Sequence, residues 1–360
     1  MDDQPVSAEQ FSTPAGDAHR LRNGIIWAGA LLVLLLAIGL AVPDLRKVLD
    51  RVANAEPGWL ALGVGLELVS CLGYVAILRL ILRRGPAREV RRLAWAEMAF
   101  GAVVPVGGAG GLAVGAWAMR AWNLPWRRIA DRSAVIFLLT SGVNAAVLVL
   151  SGLAFALGIG AGPRGSAYGL IPAGVGIAAI AFFLMMPLVE RRLPTEPRRG
   201  RISAIVGRTA EWVRATLEIL REPNWRLLGS ITYLLCDIAV LWACLRAVGA
   251  HPPVMAVVVA YQIGYLSNLI PIPGGVGVLE GGLLGALLLY GLPAAPTAAA
   301  VVIYHAIALW IPVLGGTIGF VRLRRVVAAG PPAVATAAAP PRAHAGAASE
   351  VTQRRQDLAA

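Results

Sequence analysis

Six long apolar runs constrain this chain more than any other feature of its sequence. They cover residues 24–42, 59–82, 133–157, 167–189, 227–248 and 297–321, and each is 19 to 25 residues long. A helix needs about 20 apolar residues to cross about 30 Å of hydrocarbon, because it rises about 1.5 Å per residue. The chain is also only 14% charged, against roughly 25% in an average soluble domain. The sequence therefore predicts an all-α polytopic integral membrane protein with six full spans.

The formal charge of +12 is concentrated in the segments between these spans. Arginines cluster at 83–92, 120–132, 191–226 and 322–325. By the positive-inside rule these four regions are cytoplasmic, which predicts a multi-pass protein of the cell (inner or plasma) membrane with both termini in the cytoplasm. This distribution argues against nucleic acid as a partner. The alternative to plain orientation signalling is recruitment of anionic lipid headgroups by the basic loops.

An internal repeat with an offset of 166 residues aligns 56–115 with 222–281 without a gap. The identities fall on residues that set helix breaks and close approaches, so that Pro105 meets Pro271 and Gly108 meets Gly274. Repeat 1 covers about 24–158 and repeat 2 about 167–321. Because three single spans separate equivalent points, the two copies are expected to have opposite orientations, as an inverted repeat.

Each copy contains a pair of short apolar arms joined at Pro and Gly, 93–104 with 111–122 and 254–270 with 276–290. An arm of about 12 residues rises only about 18 Å as a helix. The first pair is therefore predicted to be a re-entrant hairpin, and the second is either re-entrant or nearly spanning. With both hairpins the chain has about eight to ten membrane segments. Inverted repeats with broken helices are the ground plan of many secondary transporters, and an inert scaffold is the structural alternative.

The break in the second hairpin is the strongest candidate for a substrate site. Its residues are Pro271, Pro273, Gly274, Gly275 and Gly277, followed by Glu280. Irregular backbone at membrane depth is tolerated only where protein or a water-filled cavity covers it. Glu280 aligns with Val114 of repeat 1, so the symmetry of the repeat does not require a carboxylate at this position. Pro105 and Gly108 are the corresponding candidates in the first hairpin, although the glycines of both hairpins also suit close helix packing.

Three further charged residues are candidates because ionised side chains are costly inside a membrane. Asp237 lies midway along the fifth span, where a proton-carrying or substrate-facing role competes with a structural hydrogen bond to another span. Glu67 in the second span has the same two interpretations. Arg120 ends the first hairpin, where it either binds a phosphate or extends its charge to the membrane surface.

The remaining polar and aromatic residues of the spans have structural interpretations. Asn144, Gln262, Asn268 and His305 are expected to form hydrogen bonds between helices. Tyr261, Tyr265, Trp117 and Trp122 are interpreted as anchors at the membrane interface. The sequence contains no motif of nucleophilic, zinc-protease or P-loop chemistry. It therefore predicts no enzyme activity, no cofactor and no metal site.

Outside the spans the composition changes. Residues 1–23 form a polar N-terminal tail, 24–325 the membrane domain and 326–360 an Ala/Pro-rich tail expected to be disordered. Within the basic cytoplasmic linker 190–226, residues 202–220 are predicted to form an amphipathic helix on the membrane surface.

The second break, Pro271 to Glu280, and the earlier Pro105, Gly108, Gly111 and Arg120 resemble the lysylphosphatidylglycerol synthase transmembrane region, also called the flippase-like domain family. The resemblance covers about 24–325. It implies a protein that moves or handles lipids such as aminoacylated phosphatidylglycerol or polyprenyl-linked glycolipids. Synthases of this family carry a soluble aminoacyl-transfer domain after the membrane part, and no such domain follows Arg325, so lipid aminoacylation is not implied here.

Two main hypotheses follow from these residues. The first is a lipid or glycolipid translocase whose two hairpins form a central polar cleft for an anionic or polyprenyl-linked headgroup. The second is a non-transporting accessory protein that scaffolds a membrane-bound lipid or cell-envelope glycosyltransferase. A membrane-embedded lipid-modifying enzyme is a third hypothesis, without a nucleophile or metal set to support it.

Overall fold

A computed structural model describes residues 43–83, 85–103, 109–159, 167–192, 200–266 and 278–328. The side chains of 43–45, 266 and 278–280 are outside this description. The described elements are helical: α1 (Pro43–Ala53), α2 (Pro57–Ile81), α3 (Ala87–Val103), α4 (Ala109–Ala121), α5 (Trp126–Ala156), α6 (Ala167–Glu190), α7 (Arg201–Arg221), a 3-10 turn (Trp225–Leu227), α8 (Leu228–Ala247), α9 (Val254–Leu266), α10 (Val278–Leu289) and α11 (Ala294–Ala328). Helix α1 belongs to a separate unit that ends at Asn54, and the other helices belong to a unit that begins at Ala55.

Five of the described helices are long and apolar enough to cross a membrane, namely α2, α5, α6, α11 and the 3-10 turn with α8. They correspond to the second to sixth predicted spans, and the first predicted span, 24–42, lies outside the described residues. The chain is therefore an all-α protein of the polytopic membrane class. In a helix the backbone N–H and C=O groups form hydrogen bonds with one another, which is necessary in hydrocarbon because lipid chains offer no hydrogen-bond partners.

The helices extend further into the basic regions than the sequence analysis predicted. Helix α5 begins at Trp126 rather than 133 and includes Arg127, Arg128 and Arg132, and α11 continues to Ala328 past Arg322. Arginine is a good helix former, and its long side chain places the charge outside the apolar layer without ending the helix. The basic residues thus lie mainly on helix ends rather than in loops.

The first hairpin has a longer first arm than predicted. Helix α3 begins at Ala87 instead of 93 and has 17 residues, which corresponds to a rise of about 25 Å. Its first turns carry Glu89 and Arg92, whose side chains form an ion pair of 2.8 Å. Helix α4 has 13 residues, and the connecting segment 104–108 lies outside the described residues. In the second hairpin α9 and α10 have 13 and 12 residues.

Helices α2 and α8 cross in close contact at a pair of glycines. A Cβ atom added to Gly73 would lie 2.7 Å from the carbonyl oxygen of Gly229 and 2.7 Å from the backbone nitrogen of Tyr233. The hydroxyl of Ser70 donates a hydrogen bond of 2.9 Å to the carbonyl oxygen of Tyr233 across the same crossing. This contact brings the polar faces of the two helices together.

Helix α7 confirms that residues 202–220 of the basic linker are helical. It packs on α5 and α6 through a stripe of mostly small buried residues: Ser203, Gly207, Ala210, Val213 and Thr216. The indole nitrogen of Trp212 donates a hydrogen bond of 2.9 Å to Asp131, and Arg214 pairs with Glu190 at 2.6 Å. The helix is therefore held against the ends of two spans by packing and by polar contacts.

Candidate functional site

Asp237 is held by hydroxyl groups from two other helices. It lies on α8, and its carboxylate accepts hydrogen bonds from Tyr261 of α9 and from Tyr304 of α11, the latter at 3.0 Å. The two tyrosine rings meet edge to face, with centroids 6.4 Å apart. Asp237 thus makes the interhelical hydrogen bonds that were one of its two predicted interpretations. Its predicted contact with a substrate or proton stays a prediction.

Glu67 lies on α2, on the side that packs against α8. Its side chain is buried, and Oε1 accepts a hydrogen bond of 3.6 Å from the thiol of Cys71, one turn further along the same helix. Among the described residues, Oε2 has no hydrogen-bond partner. Asp237 is close enough to act electrostatically on this carboxyl group. A buried carboxyl group with one unsatisfied oxygen requires a proton, a water molecule or a ligand.

Glu97 is a second buried carboxyl group besides Glu67, and the sequence analysis missed it. It lies on α3 and is 8% exposed, and the hydroxyl of Tyr74 on α2 donates to its Oε2 at 2.8 Å. Two glycines of α4 make room for it: a Cβ at Gly111 would lie 2.7 Å from the carbonyl oxygen of Glu97, and a Cβ at Gly115 would overlap its carboxyl group. The glycine spacing therefore suits helix packing and the burial of a carboxyl group together.

A sequence signal for Glu97 did exist. It is the one acidic residue in the first predicted hairpin, as Glu280 is in the second. The two do not align at the repeat offset, since Glu97 lies in the first arm of its hairpin and Glu280 in the second arm. A search for acidic residues in each hairpin would have identified both.

The three carboxyl groups belong to one polar region. The rings of Tyr74 and Tyr233 lie 5.5 Å apart across the crossing of α2 and α8, and Tyr233 interacts electrostatically with Glu67 and Asp237. We call this region the central carboxyl band and define it as Glu67, Glu97 and Asp237 with their partners Cys71, Tyr74, Tyr233, Tyr261 and Tyr304. Its members come from α2, α3, α8, α9 and α11, so only the folded bundle assembles it.

Most residues of the two predicted breaks lie in parts of the chain that the structure does not describe. Those that lie outside the described residues are Pro105, Gly108, Pro271, Pro273, Gly274, Gly275 and Gly277. Glu280 lies in the first turn of α10, but its side chain is also outside the description. Their predicted roles in substrate binding stay predictions.

Arg120 has a local structural role. Its Nη1 donates a hydrogen bond of 3.0 Å to the carbonyl oxygen of Leu124, and its guanidinium carbon lies 5.3 Å from the centre of the Trp126 ring. These contacts span the turn between α4 and α5, in which Asn123 has a positive φ of 59°. Phosphate binding by Arg120 stays a prediction, and it would have to compete with these contacts.

Two other interpretations are decided by the described contacts. Gln262 of α9 donates a hydrogen bond of 3.2 Å to the carbonyl oxygen of Asn144 on α5, which confirms the predicted pairing between helices for Gln262. Tyr261 is only 3% exposed, so its interpretation as an interfacial anchor is wrong. Its hydroxyl turns to Asp237 because a buried hydroxyl needs a partner. Within the described ranges, no group of three or more His, Cys, Asp or Glu residues could hold a metal ion.

A family model described as lysylphosphatidylglycerol synthase TM region matches residues 25–316, which is most of the chain. The chain belongs to this family. As a member of the lysylphosphatidylglycerol synthase TM region family, and with five helices able to span among the described residues, it is a multi-pass membrane protein. The central carboxyl band lies entirely inside the matched residues.

A curated relative is a UPF0104 membrane protein of Methanothermobacter thermautotrophicus strain Delta H. It is 36% identical to this chain over 83 residues, which is 23% of this chain and 24% of the relative. The match thus spans about a quarter of the relative's length.

Proposed function

We propose that this protein translocates an amphiphilic lipid, with an anionic or polyprenyl-linked headgroup, between the leaflets of the cell membrane. The observation that carries the proposal is the central carboxyl band. A charged carboxylate within a membrane domain costs roughly 2.5–3.5 kcal/mol on insertion scales. Such groups are retained where they meet ions, protons or polar ligands. The band offers three of them beside a helix pair of the kind that forms transporter sites.

The inverted repeat, as part of this proposal, is supported by the helix bounds. Adding 166 residues to α2 (Pro57–Ile81) gives 223–247, and the 3-10 turn with α8 covers Trp225–Ala247. The same shift moves α3 to 253–269, where α9 begins at Val254, and moves α5 to 292–322, where α11 begins at Ala294. The equivalent helices α2 and α8 cross each other at Gly73 and Gly229. Equivalent helices that meet in this way are expected at a pseudo-twofold axis.

The proposed orientation places both termini in the cytoplasm. Its support is the arginine content of the helix ends that would face that side, including the Arg83–Glu222 pair of 2.6 Å, which joins the end of α2 to the linker before α8. The opposite ends of the two helices are joined by a hydrogen bond of 2.9 Å from the backbone nitrogen of Glu56 to the carbonyl oxygen of Ala247. The two helices therefore run antiparallel, as the inverted arrangement requires.

The chemistry of the band favours particular headgroup atoms. Carboxyl groups accept hydrogen bonds from sugar hydroxyls and bind the ammonium group of an aminoacyl headgroup, whereas they repel phosphate. We expect the headgroup's hydroxyl or amine to enter the band while its phosphate stays closer to the basic ends of the helices. The proposed role is transport without covalent chemistry, and its partner is the lipid itself.

The test is a leaflet-resolved assay of the purified chain in lipid vesicles, with fluorescent lipids that carry an aminoacyl or a glycosyl headgroup. Asp237→Asn keeps the size of the side chain and removes the charge, so we expect the flipping rate to fall at least tenfold. Asp131→Asn is the matched control, because Asp131 lies at the α5–α7 contact, and its rate should stay within twofold. Glu280→Gln is expected to lower the rate as Asp237→Asn does.

Two results would contradict the proposal. A folded Asp237→Asn protein with the wild-type rate would remove the central carboxyl band from the transport pathway. A wild-type chain that flips neither lipid, and that co-purifies with a membrane glycosyltransferase, would favour the accessory role instead.

A further inference from the structure

A second cluster of polar and aromatic side chains lies at the C-terminal end of α8. This is the end of the helix that is farther from the basic linker 190–226. Arg246 is in the last turn of this helix. Its guanidinium carbon lies 5.2 Å from the centre of the Trp59 ring on α2 and 5.8 Å from that of the Trp242 ring. The two indole rings meet edge to face at 5.4 Å. A guanidinium that packs against both of two touching indoles is held there by cation–π attraction.

This arginine has no acidic partner among the described residues. No ion pair joins it to a carboxylate there, although Glu56 is close along the fold through its backbone bond to Ala247. Its Nη1 contacts Nδ1 of His251, which serves as an acceptor when the imidazole is neutral. The cation is thus oriented by rings and by one imidazole rather than neutralised.

Two donors of the cluster are buried without an acceptor in the described structure. They are Nε of Arg246 and Nε1 of Trp242. The two residues are four positions apart on α8, so their side chains lie on one face of the helix. Buried donors are normally paired. Because both donors are shielded from solvent, an acceptor from outside the chain would reach them after a shift of the Arg246 and Trp242 side chains.

We propose that Arg246, Trp242, Trp59 and His251 form a binding site for the phosphate of a phospholipid headgroup. Phosphate has several acceptor oxygens, which match the planar donor fork of arginine, and the indole N–H supplies a further donor. Tryptophan is typical of the level at which headgroups lie. A lipid in this site would lie at the membrane surface opposite to the basic linker, and this assignment does not depend on transport by the central carboxyl band.

A second arginine–tryptophan pair on the same helical segment lacks the features of this site. The other stacked pair on the same helical segment is Arg226 over Trp225, at 5.7 Å, next to the basic linker. Trp225 is 70% exposed, so that pair has no buried donor to satisfy. Arg226 therefore serves as a matched control: an arginine stacked on a tryptophan, at the other end of the same element.

The test follows the indole N–H resonance of Trp242 in the full chain, labelled with ¹⁵N-tryptophan in detergent micelles. The resonance is assigned by its disappearance in Trp242→Phe. Titration with dihexanoylphosphatidylglycerol is expected to shift this resonance to saturation, whereas dihexanoylglycerol, which lacks the phosphate, is expected to leave it unchanged. Inorganic phosphate is expected to require at least a tenfold higher concentration, because it lacks the acyl chains that partition into the micelle.

The variants decide whether the site is built as proposed. Arg246→Gln should raise the midpoint of the lipid titration at least tenfold, and Arg226→Gln should leave it within twofold. Arg246→Lys, which keeps the charge but loses the fork, should give an intermediate midpoint and serves if the glutamine variant does not fold. An unchanged midpoint in both Arg246 variants would overturn the proposal. An equal response to dihexanoylglycerol would also overturn it, because that lipid has no phosphate. Saturation by inorganic phosphate at the same concentration as the phospholipid would identify the ligand as a free anion and overturn the assignment to a lipid.

Discussion

The crossing of α2 and α8 depends on a glycine whose replacement has a calculable effect. In Gly73→Ala the new methyl group would lie 2.7 Å from two backbone atoms of α8, about 0.7 Å nearer than ordinary van der Waals contact, which begins at 3.4 Å. Backbone atoms within a helix cannot rotate away as a side chain can. The two helices must therefore separate or shift.

The expected cost has three parts. Overpacking of a tight contact costs about 1–3 kcal/mol. A separation of several tenths of an ångström also stretches the 2.9 Å bond from Ser70 to Tyr233, and loss of such a bond costs about 0.5–1.5 kcal/mol. The higher helix propensity of alanine offsets about 1 kcal/mol. We therefore expect Gly73→Ala to lower the free energy of unfolding by about 1–3 kcal/mol.

Gly65→Ala is the matched control on the same helix. A Cβ at this position meets no atom within 4 Å, so the variant should be neutral or gain up to about 1 kcal/mol from propensity. The measurement is reversible unfolding of both variants in SDS, followed by circular dichroism. The difference between them should be about 1–4 kcal/mol. Equal stability of the two variants would refute the reasoning, because it would mean that the helices do not touch at Gly73.

Two further predictions concern other contacts of the bundle. Gly115→Ala should destabilise the fold by about 1–3 kcal/mol because its methyl group overlaps the carboxyl group of Glu97. In a double-mutant cycle, Glu97→Ala should remove most of this penalty. If the effects of the two substitutions on the free energy of unfolding were additive, the contact between Gly115 and Glu97 would be contradicted. Trp212→Phe should lower the free energy of unfolding by about 0.5–1.5 kcal/mol, because it deletes the N–H that donates to Asp131. Trp225→Phe, at an exposed position, is the control and should have no measurable effect in the same denaturation experiment.

Features that depend on a single helix were predictable from the sequence. The second to sixth apolar runs each became a helix with bounds close to the predicted ones, because the length and polarity of a segment decide whether it can span hydrocarbon. The longer α3 and α5 show the main error at this level. Arginine was used as a sign of loops, although its side chain allows a helix to continue through the interface.

The environment of the carboxyl groups inside the bundle was less predictable. Asp237 was recognised because an acidic residue in an apolar run is costly, but its tyrosine partners come from α9 and α11, far away in sequence. Tyr261 was misinterpreted for the same reason, since the sequence around a tyrosine in an apolar helix is the same whether its hydroxyl faces the membrane interface or a carboxylate of another helix. Glu97 was missed although it lies within the predicted arm 93–104, because the search for acidic residues was centred on the spans and on the second break.

The sequence by itself determined the membrane class, the positions of the described helices and the close packing at the glycines of α4, because these follow from local hydrophobicity, length and backbone chemistry. The tertiary structure decided which faces of the helices meet. The crossing of α2 and α8 brings Glu67 near Asp237, and the packing of α3 on α2 places Tyr74 against Glu97. Such pairings depend on helix packing over long sequence separations, and only the assembled bundle provides it.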